Sequence, residues 1–268
     1  MLRVVVILVL LVLCAPAAPA ADGRATMDQL RGLEHGERAW DDRRQALSLR
    51  IEDPRGGVRE RALVMLTRRT TPGEDRTLTV FRSPAELRGT AFLQFAHADS
   101  DAEQWLYLPE LERVRRITSR ARKQSFMGTD FSYRDLELLT DVIEWKEEDA
   151  SARSLGMVPW EDGEAERIEL LPSVKDVGYT RIVVTISRPE VLLRRMEFFE
   201  GGKSPVKTLD LGDIREVQGI PTPGRLTMVR HARGGRTVIE VSEVRYDSGL
   251  PARTFTQRSL ERGLDAIE

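Results

Sequence analysis

Cysteine and histidine are scarce in this sequence of 268 residues. Cys14 is the only cysteine, which excludes a disulfide framework and a cysteine-rich zinc site. The three histidines, His35, His97 and His231, lie far apart in the sequence and give metal or acid–base chemistry little material. The G-x-S-x-G, H-E-x-x-H and G-x-G-x-x-G patterns are all absent. We therefore predict no catalytic residue, no metal site and no cofactor.

An excess of charge of either sign is also missing. The chain has 41 Lys and Arg residues against 43 Asp and Glu residues, which gives a formal net charge of −2. A nearly neutral chain does not fit a protein that coats nucleic acid, so we expect no nucleic-acid partner. The hydrophobic fraction of 41% lies well above the range of disordered chains, and the length is sufficient for a large core.

Only one long hydrophobic run occurs, at residues 4–13. Arg3 precedes the run and Ala18-Pro19-Ala20 follows it, which is the pattern of a secretory signal peptide that is cleaved near Ala20. The run is much shorter than the about 20 residues that a membrane-spanning helix needs. A lipid on Cys14 is the alternative, but Leu13 stands where a lipoprotein signal has a small residue. We therefore predict an exported, periplasmic protein.

The rest of the sequence alternates between apolar and polar residues in many short runs. In the first run Leu47, Leu49 and Ile51 alternate with polar residues, as expected for a strand with one buried face. Turns rich in Gly, Pro and Asp separate the runs. The run at 192–199 could also form a helix, but the following glycines favour a hairpin. We predict strands at residues 47–51, 58–68, 77–83, 89–95, 104–108, 141–147, 166–171, 180–186, 192–199, 206–211, 226–231 and 237–246.

Three helices are expected beside these strands. Apolar residues at helical spacing predict the first over residues 25–44. Ser132 and Asp135 form an S-x-x-D capping pattern that predicts the start of the second. A short third helix is expected within residues 254–264. Asp130 and Asp135 could also be a pair of catalytic carboxylates, but helix capping is the favoured interpretation.

These elements predict an α+β fold that is mainly β. Because regular alternation of strands and helices is absent, a doubly wound parallel sheet is excluded. Antiparallel strands with one apolar face can pair as a sandwich or curl around a shared interior, and the pattern alone leaves both possibilities open. No linker divides the chain, so we predict a signal peptide at residues 1–20 and a single domain at 21–268.

A cluster of positive charges lies between residues 113 and 123. One interpretation is a solvated strand edge and loop. The other is a surface that contacts anionic lipid head groups or an acidic partner. The candidate residues for such contact are Arg113, Arg115, Arg116 and Arg120, and Arg122 and Lys123 complete the cluster.

Three runs in the middle of the chain carry a resemblance to a known family. They are FRSPAELRGTAFL at residues 81–93, QWLYLPELERVRRI at 104–117 and SFMGTDFSYRDL at 125–136. With them the chain resembles the LolA/LolB-like outer membrane lipoprotein-sorting proteins of bacteria, over nearly all of its length. The resemblance implies an incomplete, curved antiparallel β-barrel of about 10–12 strands. A few helices would cover the open mouth of this half-barrel.

The same resemblance implies a soluble carrier that holds acyl chains in an apolar cavity and carries them across the envelope without catalysis. Such a cavity needs apolar side chains at alternate positions of its strands, which share one face, and an adaptable apolar cover. Trp105 and Tyr107 share one face of a strand, opposite Leu106 and Leu108. The cavity candidates are Phe92, Trp105, Tyr107, Phe126, Met127 and Phe131.

The expected partners are acyl chains of lipids or lipoproteins, with an inner-membrane transporter as a further candidate. We expect a monomer that touches membranes only transiently. An accessory subunit that docks on a membrane lipid exporter or envelope complex is the alternative function. A hydrolase on a β scaffold is a third, against which the missing nucleophile–histidine motif argues.

Overall fold

The computed structural model describes residues 22–71, 74–97, 100–161 and 163–263. Within these ranges the chain forms thirteen strands and three α-helices. The helices are α1 (Arg24–His35), α2 (Tyr133–Glu144) and α3 (Gln257–Arg262). The strands are β1 (Asp42–Glu52), β2 (Val58–Thr71), β3 (Glu74–Ser83), β4 (Ala91–Phe95), β5 (Glu103–Leu108), β6 (Arg113–Arg116), β7 (Ala150–Trp160), β8 (Gly163–Pro172), β9 (Arg181–Arg188), β10 (Leu192–Phe199), β11 (Lys207–Val217), β12 (Ile220–Arg230) and β13 (Gly235–Tyr246).

These strands form one antiparallel sheet in the order β6-β5-β4-β3-β2-β1-β13-β12-β11-β10-β9-β8-β7. Neighbours in the sheet are neighbours in sequence except at its centre, where β1 pairs with β13. The sheet does not close, and β6 and β7 are its two edges. The prediction of a mainly β, incomplete antiparallel barrel is confirmed, with one strand more than the upper end of the predicted number.

The topology places α2 across the sheet. The chain leaves the sheet at one edge, β6, and enters it again at the other edge, β7. The segment that connects these two strands contains α2 and must therefore pass over one face. Leu138 and Val142 of α2 are fully buried there, in the same apolar core as Met27 and Leu30 of α1. Two helices thus cover the inner face, as predicted.

The third helix lies on the opposite face. Leu260 of α3 and Phe255 just before it are fully buried against β4 and β5, together with Leu93 and Trp105. We expected all helices at the mouth of the half-barrel, and α3 is the exception. Its packing gives the strands beneath it two buried faces.

One sequence-based helix prediction has the wrong end, and one strand prediction is wrong altogether. The helix predicted over residues 25–44 ends at His35, because the backbone N–H of Gly36 turns back to the carbonyl of Leu33 and β1 begins at Asp42. The strand predicted at 141–147 is the last turn of α2 and the loop after it.

The remaining element predictions fare better. The ambiguous run at 192–199 is the strand β10, and the predicted short helix within residues 254–264 is α3. The two edge strands β6 and β7 were not predicted, since Arg-rich and Gly-Pro-containing runs lack clear alternation. The predicted signal peptide at residues 1–20 lies outside the described ranges. No helix in those ranges is both long and apolar enough to cross a bilayer.

Candidate functional site

An apolar cavity of about 280 Å³ lies between the sheet and helices α1 and α2. A second cavity of about 140 Å³ adjoins it. The two share their central lining, to which the sheet contributes Leu47 and Met65, α2 contributes Leu136 and Leu139, and the loop before α2 contributes Phe131. The shared lining makes them two parts of one apolar space under α2.

Small side chains on the inner face of the sheet help to leave this space open. Thr67 of β2 and Thr77 of β3 are paired in register and their hydroxyl oxygens are 3.3 Å apart, so one hydroxyl group donates a hydrogen bond to the other. Thr79, two positions further along β3, lies opposite Phe92 of β4. All four side chains belong to the same face, and Thr67, Thr77, Thr79 and Phe92 all line the smaller cavity. One pair of hydroxyl groups on this face is thus hydrogen-bonded internally, and the threonine methyl groups and the Phe92 ring supply apolar lining.

The larger cavity extends in the other direction along the inner face, below the hairpin formed by β11 and β12. The side chains there are aliphatic and only partly buried, which is unusual for the inside of a sheet that helices cover. These lining residues are Leu193, Leu211, Ile214, Pro221, Pro223 and Leu226. Their partial exposure shows that protein atoms do not fill the space next to them.

Three of the predicted cavity residues meet at one end of the smaller cavity. Phe92, Phe126 and Phe131 all line it and are all buried. The ring of Phe126 lies 5.2 Å from that of Phe92 and 5.4 Å from that of Tyr133, both edge to face. Met127 is half-buried against the same core, and its backbone carbonyl accepts a hydrogen bond from Arg61. The aromatic loop therefore closes this end of the cavity.

Trp105 and Tyr107 lie on the other side of the sheet, contrary to expectation. Trp105 packs 5.1 Å from the ring of Phe95 in the cluster under α3, and Tyr107 packs against the same cluster. Leu106 and Leu108, between and beside them, belong to the core on the helix-covered inner face. Their alternation was predicted correctly, but the face was not, because α3 makes the outer face apolar as well.

The two aspartates near α2 anchor the aromatic loop. Ser132 and Asp135 form the predicted capping box, in which the Ser132 hydroxyl accepts from the Asp135 backbone N–H at 3.1 Å. The fully buried Asp135 carboxylate also accepts from Lys207 Nζ at 2.5 Å and from the Tyr179 hydroxyl at 2.6 Å. Burial and the Asp135 charge raise the pKa of Tyr179, which keeps its hydroxyl protonated as a donor.

Asp130 fixes the same loop to the last strands of the sheet. Its carboxylate accepts from Arg230 at 2.9 Å and from the Thr237 hydroxyl at 2.8 Å. A Cβ on Gly235 would lie 2.2 Å from the Asp130 carboxylate, so only glycine fits beside it. Asp130 and Asp135 thus have different partners and structural roles, as the capping interpretation of Asp135 predicts.

A buried ionic network lies along the side of α2 that faces away from the cavity. Arg134 contacts Glu137 and lies 3.2 Å from Asp141, and Arg122 lies 3.3 Å from Glu137. Burial raises the pKa of Asp141 to about 7, although Arg134 opposes this shift. Arg122 was predicted in the surface cluster, but it is buried in this network.

Charged residues surround one end of the larger cavity. The guanidinium carbons of Arg69 and Arg43 lie 4.0 Å and 4.8 Å from the centre of the Trp40 ring. Arg69 Nε is 3.8 Å from the Asp75 carboxylate. Burial raises the pKa of Asp75, while the charges of Arg69 and Arg43 lower it. No sequence pattern predicted this group, because Trp40 and Arg43 are far in sequence from Arg69 and Asp75.

The predicted contact arginines are exposed at one edge of the sheet. Arg113, Arg115 and Arg116 belong to β6 and Arg120 to the turn after it. Arg116 pairs with Glu103 at 2.7 Å. β6 is hydrogen-bonded to β5 alone, so its other side is an open sheet edge.

Among the described residues, no group of three or more His, Cys, Asp or Glu side chains is suited to a metal ion.

Solved structures share this architecture. A domain named for outer membrane lipoprotein sorting, from Vibrio parahaemolyticus, is 26% identical, with a TM-score of 0.81 over 90% of this chain and 98% of that one. A DUF1329 family protein from Desulfovibrio piger is 25% identical, with a TM-score of 0.81 over 90% of this chain and all of that one. A LolA superfamily protein from Nitrosomonas europaea is 16% identical with a TM-score of 0.67, and this likeness concerns the fold alone.

Comparisons of sequence give a family but no characterised relative. None of the curated proteins has a matching sequence. A family model described only as an uncharacterized protein matches residues 73–262, which is well over half of the chain. The chain therefore belongs to this uncharacterized family, and its fold is similar to those of a lipoprotein-sorting domain and of a LolA superfamily protein.

Proposed function

We propose that this protein is a soluble periplasmic carrier that binds acyl chains of lipids or lipoproteins in its cavity, without catalysis. The observation that carries the proposal is the apolar space beneath α2, a helix in the segment that connects the two edges of the open sheet. Similarity to a lipoprotein-sorting domain supports the same function. The predicted signal peptide supports the periplasmic location, and residues 21–268 would act as a monomeric domain.

The size of the cavity suits a small apolar ligand. Its about 280 Å³ lies close to the lower end of the range for small-molecule sites, about 300–1,000 Å³. Each methylene that moves from water into the cavity contributes about 0.8 kcal/mol, so even part of one acyl chain gives useful affinity. The proposal is therefore one chain per protein, with α2 and the aromatic loop as the cover.

Binding can be tested by filling the cavity. Leu139 of α2 lines both parts, so Leu139→Trp should occupy the space that an acyl chain needs. We expect lipid in mass spectra of gently purified wild-type protein, and an affinity for a fluorescent fatty acid that Leu139→Trp lowers at least about tenfold. The control is Leu171→Trp, at an exposed position of β8, which should bind like the wild type. Lipid-free protein without affinity for acyl probes would rule the carrier out.

The exposed arginines favour a second function, an accessory subunit that docks on a membrane lipid exporter or envelope complex. Arg113, Arg115, Arg116 and Arg120 border an open sheet edge, where an acidic partner or anionic head groups could bind. Reversing the charge of Arg113, Arg115 and Arg120 should abolish capture of a membrane partner and leave the binding of acyl probes unchanged. The reverse result, loss of acyl binding alone, would contradict this function.

A further inference from the structure

Arg43, at the charged end of the cavity, has a buried nitrogen atom without a hydrogen-bond partner among the described residues. It belongs to β1, two residues before Gln45, and it lines both parts of the apolar space. The buried atom is Nε. Its guanidinium group lies over the Trp40 ring, a contact that uses the face of the group and none of its N–H bonds.

The other charges around Arg43 are already paired. Arg69 lies beside Asp75 and also donates to the backbone carbonyl of Glu34 at 3.1 Å. His35 bonds to Glu144 at 2.9 Å. Glu34 lies 3.7 Å from Arg38.

The charge of Arg43 lowers the pKa of Asp75, but the two side chains form no ion pair within 4 Å. Among the described charged groups at this end of the cavity, Arg43 is therefore the cation without an ion pair within 4 Å. Arg43 as a whole is half-buried, but its buried Nε lacks an acceptor, which is unfavourable, and an anion that accepts hydrogen bonds from the guanidinium group would relieve that cost.

We propose that Arg43 binds the anionic head group of a single-chain acyl lipid whose tail occupies the cavity. This inference rests on the proposed carrier function and specifies the class of its ligand. A guanidinium group forms paired hydrogen bonds with carboxylates and with phosphates, so either head group fits. The apolar lining accepts the chain, and the tail and the head group are thus recognised by adjoining surfaces.

The test compares ligands with the same chain and different head groups. Isothermal titration calorimetry measures dodecyl phosphate, dodecanoate, dodecanol and inorganic phosphate against the wild type and Arg43→Met. The wild type should bind dodecyl phosphate and dodecanoate at least about tenfold more tightly than dodecanol, and inorganic phosphate much more weakly. Arg43→Met should lose this preference and keep its affinity for dodecanol.

Two further variants separate charge from structure. Arg43→Lys should retain part of the preference, because it keeps the charge and loses the paired geometry. Arg50→Met, at an exposed position of the same strand, should behave as the wild type. Equal losses for dodecanol and dodecyl phosphate in Arg43→Met, or no preference in the wild type, would overturn the head-group contact and leave the carrier function intact.

Two other outcomes have different meanings. If inorganic phosphate binds as tightly as dodecyl phosphate, the site holds free anions and the proposal of an acyl ligand at Arg43 is wrong. If the wild type binds no dodecyl compound at all, the carrier function fails and the head-group contact fails with it.

Discussion

The two faces of strands β2 to β5 differ although both are buried. The outer face packs against α3 and Phe255 through aliphatic side chains that are almost completely inaccessible. The inner face presents threonines, Met65, Gln94 and Phe92 to a cavity. None of the outer cluster's buried side chains lines either cavity. One sheet thus has a filled side and a hollow side.

This difference separates stability from binding. Close-packed side chains contribute their full transfer free energy and their dispersion contacts, whereas side chains next to a void lose part of both. The short helix α3 and the strands under it therefore hold the fold together at this end of the sheet. The longer helix α2 is fixed at its start by Asp135 and covers the space in which a ligand would lie.

The largest effect is expected on the filled side. Phe255→Ala removes a fully buried ring from the cluster under α3, whose buried side chains line neither part of the apolar space. We expect a loss of about 3–5 kcal/mol in the free energy of unfolding, measured by urea denaturation. Binding of acyl probes by the protein that remains folded should be unchanged. A loss below about 1 kcal/mol would mean that this face is not close-packed.

This contrast between faces shows where sequence reasoning succeeds and where it stops. Local patterns predicted most strands and the capping box at Ser132, because alternation and capping depend on residues close in sequence. The face of Trp105 could not be predicted, since it depends on α3, which lies about 150 residues further along the chain. The isolation of Arg43 was equally hidden, because its neighbours come from α1, β2, β3 and α2.

The second effect concerns the helix that covers the hollow side. Burial raises the pKa of Asp141 in the folded protein to about 7, from an ordinary value of 3.8. Between about pH 4 and pH 7 the folded protein therefore holds a proton that the unfolded chain has released. The stabilisation from this proton is complete below about pH 4 and is lost as the pH rises through about 7.

Asp141→Asn mimics the protonated acid and should remove this dependence. We expect the variant to be about 1–2 kcal/mol more stable than the wild type at about pH 8 and equally stable at about pH 4, by urea denaturation. The estimate is modest because the Asp141 side chain is 26% exposed and Arg134 offsets part of the burial cost. A variant that is less stable at both pH values would show that the ion pair with Arg134 outweighs burial.

The smallest effect is expected from a side chain that borders the cavity. Leu139→Ala shortens a partly exposed residue that lines both parts of the space, so little packing is lost. We expect a cost of about 1 kcal/mol, against about 2–5 kcal/mol for Leu138→Ala, the fully buried neighbour on the same helix. Urea denaturation of the two variants measures this difference directly. Because Leu139→Ala enlarges the cavity, the affinity for acyl probes should not fall. Equal costs at the two positions would mean that the side of α2 at the cavity is as tightly packed as its fully buried side, which contradicts a hollow inner face.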